Sequence, residues 1–110
     1  MSRFVALYRP PEVEREVETF GRRYRSSHLP LVRRTPGLCR VEVSEVTRNL
    51  LGDSTFMLMA VMTFTDRDAM RMGMRSEEWA RAGANLADIG GTELATMFTL
   101  DDPEVEDLER

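Results

Sequence analysis

Short β-rich segments alternate with two helical stripes in the order β-α-β-β-α-β, which predicts an α+β domain of the split-βαβ, ferredoxin-like type. Its four-stranded antiparallel sheet carries both helices on one face. One strand is apolar on both sides, which predicts that the opposite face packs against a second copy of the chain. At 110 residues there is room for one such domain. It is set at residues 1–100, with an acidic tail over 101–110.

The elements follow in order. Arg3-Phe4-Val5-Ala6-Leu7-Tyr8-Arg9 is apolar, β-rich and stopped by Pro10-Pro11, so it reads as the first strand. Pro11 suits the first turn of a helix, and Glu12, Glu14 and Glu16 place negative charge where the helix dipole favours it. Val13, Val17, Phe20 and Tyr24 form one apolar stripe at helical spacing. Ser26 to Pro30 should end the helix, because Leu29 precedes a proline and is pushed toward extended geometry. Pro30 opens a short helical turn to Arg34, and Thr35-Pro36-Gly37 is a turn.

Leu38 to Thr47 alternates as the second strand, with Cys39, Val41 and Val43 on one side and Arg40, Glu42 and Ser44 on the other. A connection over 48–54 leads to the third strand, Thr55 to Phe64. There Phe56, Leu58, Ala60, Met62 and Phe64 face one way and Met57, Met59 and Val61 the other. Thr65-Asp66-Arg67-Asp68 reads as a capping box for the second helix, whose stripe is Met70, Met74, Trp79, Ala82 and Leu86. Gly73 and Ser76 should break it into two pieces, and Ile89-Gly90-Gly91 should stop it. Thr92 to Leu100 is the fourth strand.

An antiparallel sheet with helices on one face should be polar on the other. The third strand breaks that rule, and leaving Met57, Met59 and Val61 uncovered would expose an apolar patch of the kind that marks an interface. Pairing two sheets face to face under twofold symmetry removes it. The competing reading covers the strand with the chain's own tail, but Asp101 to Glu109 is too acidic to do this well.

Composition narrows the function classes. Hydrophobic residues make up 42% and charged residues 31%, as in an ordinary globular protein. The longest apolar run, Phe56 to Met62, is too short to cross a bilayer, and no signal-peptide pattern precedes the first strand. Residues 1–50 hold ten Arg against six acids, and residues 51–110 hold five against thirteen. The acidic excess argues against nucleic-acid binding. One cysteine, Cys39, makes neither a disulfide nor a metal site, so a reducing, cytoplasmic setting is expected. There is no glycine-rich phosphate loop, serine elbow or metal-ligand motif, and no metal or cofactor is expected.

Phe20-Gly21-Arg22-Arg23-Tyr24-Arg25-Ser26-Ser27-His28-Leu29-Pro30-Leu31, continuing to Thr35-Pro36-Gly37-Leu38, resembles the EthD family of ethyl tert-butyl ether degradation proteins. There a helical Tyr is followed by a His-x-Pro-Leu stretch and then by Pro-Gly-Leu leading into a strand. Val5 to Arg9 and Phe64 to Ala69 are also similar to that family. The resemblance covers nearly the whole chain in element order and is most specific over residues 24–38. It implies a homodimeric α+β barrel without an agreed reaction.

His28 is the only histidine, and its ordinary pKa near neutrality suits acid–base work. It could equally cap the last carbonyls of the first helix. Tyr24 lies one turn earlier on the same face and either orients a substrate beside His28 or completes the core stripe. Tyr8, at the end of the first strand, could enter the same cavity. Arg40 could hold an anionic group, or pair with a carboxylate on a neighbouring strand. Trp79 and eight Met suggest an adaptable interior that admits a small apolar ligand, or simply gap-filling in a small core. Cys39 reads as a small buried hydrophobe.

Two functions follow. In one, the chain is a cofactor-free enzyme acting on a small apolar carbonyl, phenolic or ether-derived compound, with His28 as acid or base and Tyr24 as its partner. In the other it is a non-catalytic binding or accessory protein for an oxygenase or degradation pathway.

Overall fold

The computed structural model describes all of residues 1–110 and shows four antiparallel strands: β1 (Ser2–Tyr8), β2 (Leu38–Glu45), β3 (Leu58–Phe64) and β4 (Ala95–Leu100). Their order across the sheet is β2-β3-β1-β4, so the first strand is central and the fourth forms an edge. This is the expected ferredoxin-like arrangement. The helices are α1 (Glu16–Arg23), α2 (Leu29–Val32), α3 (Arg67–Met74) and α4 (Glu77–Asp88).

Side-chain alternation along β1 and β3 sends Phe4, Ala6, Tyr8, Leu58, Ala60, Met62 and Phe64 toward the helices, where all are buried. From the helices, Phe20, Tyr24, Leu29, Val32, Met70, Ala82 and Leu86 complete this core. Gly73 lets α3 lie close on the sheet. A Cβ there would stand 2.7 Å from Phe64 Cε1 and 2.8 Å from the Pro36 carbonyl oxygen.

The opposite face carries Arg3, Val5 and Leu7 in register with Thr63, Val61 and Met59 of β3, and with Leu100, Phe98 and Thr96 of β4. On the β2 side the rows continue into Arg40, Glu42 and Ser44. The face is therefore polar at one edge and apolar across its middle and far edge. The molecule measures 42 × 41 × 21 Å, thick enough for the sheet and one helix layer. No helix layer lies on the second face, although Val5 and Thr63 in its middle are buried among their neighbours, and the tail over 101–110 is exposed and without regular structure. Arg67 holds the start of that tail through Asp101, Nη2 to Oδ2 2.5 Å.

Several local expectations are corrected. The first helix begins at Glu16, not Pro11. Val13 is 43% exposed, and without apolar burial the preceding residues form only isolated turns. The helix does not end before Pro30. Residues Tyr24–His28 form a π-helical turn closed by Leu29 N–H donating to the Tyr24 carbonyl, and Leu29 is helical at φ −58°, ψ −39°. Widening the turn accommodates Pro30, which has no N–H to give and would crowd the carbonyl four residues back.

Cys39 is exposed, because the register shifts between Leu38 and Arg40 and leaves it at a bulge. Leu38, Val41 and Val43 instead pack against the core. The connection between β2 and β3 is longer than expected. Within it, Asn49 replaces strand pairing by donating Nδ2 to the Phe56 carbonyl at 2.9 Å and accepting from Phe56 N–H at 3.0 Å.

The second helix is broken as expected, and Ser76 caps α4 by accepting from Trp79 N–H at 3.1 Å. The cap of α3 is Asp66, not Thr65, with Oδ1 accepting from Ala69 N–H at 2.7 Å. Helix α4 stops at Gly90, where φ is +81°; Gly90 and Gly91 donate to the Ala87 and Leu86 carbonyls, a Schellman ending. A short 3₁₀ turn, Thr92–Leu94, then delays β4 to Ala95.

Candidate functional site

Phe20, Tyr24 and His28 recur every fourth residue, so α1 and its π-helical turn present three rings along one side. With Tyr8 from the end of β1 they form a continuous aromatic group. Tyr8 and Tyr24 have ring centroids 4.9 Å apart at 65°, and Tyr24 and His28 are 5.0 Å apart at 41°. Tyr8 and Tyr24 are fully enclosed and His28 is 4% exposed.

Beside this group is a cavity of about 100 Å³ between the helices and the sheet. It is lined by Tyr8, His28, Trp79 and seven largely apolar neighbours, among them Phe4, Met62 and Met97. Trp79 stands edge-on to Phe4, with centroids 4.9 Å apart. An apolar cavity of about 150 Å³ is known to admit benzene, so this smaller one encloses only part of a ring, and a bound ring extends toward its mouth. A larger, more polar groove of about 720 Å³ lies at Arg9 to Val13 and the end of α4. It contains none of the aromatic group's polar atoms.

Two polar atoms in the aromatic group have no protein partner. His28 Nδ1 is buried without a hydrogen bond. The Tyr24 hydroxyl lies beside that of Tyr8 but makes no bond of good geometry. An unpaired buried polar atom costs on the order of 1–3 kcal/mol, so such atoms call for an explanation. The imidazole is flanked by the Asn85 side chain and the Ala82 backbone. Asn85 is itself positioned by donating Nδ2 to Ser27 Oγ at 3.2 Å.

The electrostatics follow from burial. Desolvation lowers the His28 pKa below its ordinary 6.5, opposed by Asn85 and Ala82. Burial pushes the Tyr8 phenol up to about 12, opposed by the Tyr24 hydroxyl. Tyr24 is pushed up too, by burial first and by Tyr8 second. At neutral pH the group thus consists of a neutral imidazole and two protonated phenols. A neutral imidazole accepts a proton or hydrogen bond, and a phenol donates to an oxygen.

Of the residues expected at a site, His28, Tyr8 and Trp79 line the cavity, whereas Tyr24 stands behind it against Tyr8 and His28. Arg40 lies elsewhere, on the uncovered face of β2, with Nη2 3.4 Å from Glu42 Oε2 on its own strand. Asn85, Gly83 and Met97 were not anticipated. Asn85 had a readable signal, because it falls three residues after Ala82 and one before Leu86, within the buried stripe of α4. Met97 had none, because an edge-strand methionine looks the same over a cavity as over solvent.

No protein-family model matches the chain, and no curated protein matches it. Solved structures do. The chain is similar to an EthD family protein from Bacillus halodurans, at 28% identity and a TM-score of 0.81 over 94% of this chain and 99% of that one. A dimeric ferredoxin-like protein from Jannaschia sp. shares the fold at 17% identity and a TM-score of 0.64, over 93% of this chain and all of that one. A variant of SnoaB, a cofactor-independent oxygenase from Streptomyces nogalater, shares it at 20% identity and a TM-score of 0.52, over 99% and 97%. The first likeness extends far beyond residues 24–38, where the sequence resemblance is most specific, and in fold and element order this chain is similar to the EthD family.

Proposed function

We propose that the chain is an EthD-like, small-molecule-binding homodimer whose His28 cavity performs cofactor-free acid–base chemistry on a small, largely apolar carbonyl, phenolic or ether-derived compound. The observation that carries this reading is His28 Nδ1, an unpartnered acceptor buried beside an apolar cavity. A ligand hydroxyl would donate a hydrogen bond to the neutral ring there, and an acidic C–H next to a carbonyl would meet it as a base. The proton passes to Nδ1 and leaves an imidazolium paired with the substrate anion. Low local polarity strengthens that pairing and the hydrogen bond that the Tyr8 hydroxyl gives to the developing oxyanion. Tyr24 acts through Tyr8 and His28 as a positioning residue.

The dimer is supported by the apolar rows of the uncovered face, with Phe98 42% and Leu100 41% exposed, and by the dimeric Jannaschia relative. An exposed, unpaired Cys39 suits a reducing, cytoplasmic setting.

Phenol tests the site directly, because it offers one hydroxyl and one ring. Calorimetry should show binding to the wild-type chain and roughly tenfold weaker binding to His28→Phe, the loss of one buried hydrogen bond. Equal affinities would remove His28 from the site and favour the accessory, non-catalytic reading.

A further inference from the structure

Seven of the ten residues lining the His28 cavity are buried; Trp79, Gly83 and Met97 are not. These three form the mouth. Trp79 and Gly83 are one turn apart on the same side of α4, and Met97, 44% exposed, faces them from the edge strand β4.

Gly83 is anomalous in that position. It lies in the middle of a twelve-residue helix, where glycine is among the weakest helix formers. Its φ is not positive, so the backbone does not require glycine. Close packing does not require it either, because a Cβ at 83 would meet nothing within 4 Å. Gly73 and Gly91 differ, since a Cβ there would stand 2.7 Å from Phe64 Cε1 and 2.4 Å from Leu86 Cδ1. What remains at position 83 is the notch itself, open toward the cavity mouth.

We propose that Gly83 is the specificity-determining residue of the His28 cavity, leaving a notch between Trp79 and Met97 through which a substituent of the ligand passes to solvent. The proposal rests on the binding reading above and refines its substrate class. The ligand has a head no larger than one small ring, with a hydroxyl, or an acidic C–H beside a carbonyl, directed at His28. Its apolar substituent is too long for the cavity of about 100 Å³ and lies against the Trp79 ring and the flexible Met97 thioether.

The test compares phenol with 4-propylphenol on the full-length chain by calorimetry. Wild type should bind both, with 4-propylphenol favoured. In Gly83→Leu the branched side chain closes the notch, and the ratio of 4-propylphenol to phenol affinity should fall at least tenfold. Gly83→Ala should lower the ratio less, while the better helix former raises the melting temperature by about 4 °C and guards against misfolding as the cause. An unchanged ratio in Gly83→Leu, with phenol still bound, overturns the notch and leaves the His28 site standing. Failure of wild type to bind either phenol overturns the site and the notch together.

Discussion

The two faces of the sheet are made from the same strands and differ in almost everything else. Phe4, Ala6 and Tyr8 alternate with Val5 and Leu7 along β1, as do Ala60 and Met62 with Met59 and Val61 along β3. The inner face contributes rings and closes under helices around a small cavity with polar atoms at its wall. The outer face is smoother, with β-branched residues and methionine flanked by Phe98 and Leu100 at one edge and by Arg40, Glu42 and Ser44 at the other. A strand that is apolar on both sides belongs to the core on one side, and on the other to the interface between chains proposed above. The titratable groups with pKa values shifted by burial, Tyr8, Tyr24 and His28, all lie on the inner side.

The largest expected effect breaks the outer face. Phe98→Asp puts a carboxylate into the proposed interface at an edge position that the isolated chain leaves 42% exposed, so the monomer fold should survive. Light scattering should change from twice 12.6 kDa to 12.6 kDa, with the far-ultraviolet dichroism retained. A wild-type mass of 12.6 kDa would show that the outer face is left open.

A smaller effect of opposite sign is expected on the inner face. Tyr24→Phe removes a buried hydroxyl that makes no hydrogen bond of good geometry, and should raise stability by about 1 kcal/mol in urea unfolding. Phenol binding should be unchanged, because the ring that packs against Tyr8 and His28 is kept. A loss of stability would mean that the hydroxyl is already paired, with Tyr8 as the partner.

The mildest effect is on pH dependence. Because burial lowers the His28 pKa, the unfolded chain takes up this proton before the folded one. Stability contributed by neutral His28 is full above pH 6.5 and is lost as pH falls from there through the lower folded value. His28→Phe should flatten that segment of the stability profile. At the alkaline end, the raised Tyr8 pKa predicts loss of stability as pH rises from 10.0 toward about 12.

What could be read in advance followed from periodicity. The alternation of β3 over Leu58–Phe64 and the break at Ser76 are local patterns that recur in the structure, whereas of the Val13-Val17-Phe20-Tyr24 stripe only Phe20 and Tyr24 enter the core and Val13 is exposed. His28 and Trp79 could be singled out because histidine and tryptophan are each present once. The departures came where a non-local contact or a single inserted residue decided the outcome. The bulge at Cys39 turns one residue outward without disturbing the strand's composition. The π-helical turn reverses the usual inference from Leu29-Pro30, because one extra residue relieves the clash that would otherwise end the helix. For Arg40 the alternation did give the face, with Glu42 and Ser44 and opposite Val41 and Val43, and that face is the one away from the cavity.

Nuclear magnetic resonance titration of the single imidazole, with and without phenol, tests the central claim most directly. The account predicts a midpoint below 6.5 in the free protein. Saturating phenol should lower it further, because a hydroxyl donated to Nδ1 favours the neutral ring. A midpoint at or above 6.5 that phenol does not move would contradict the claim that His28 is the buried base of a ligand cavity.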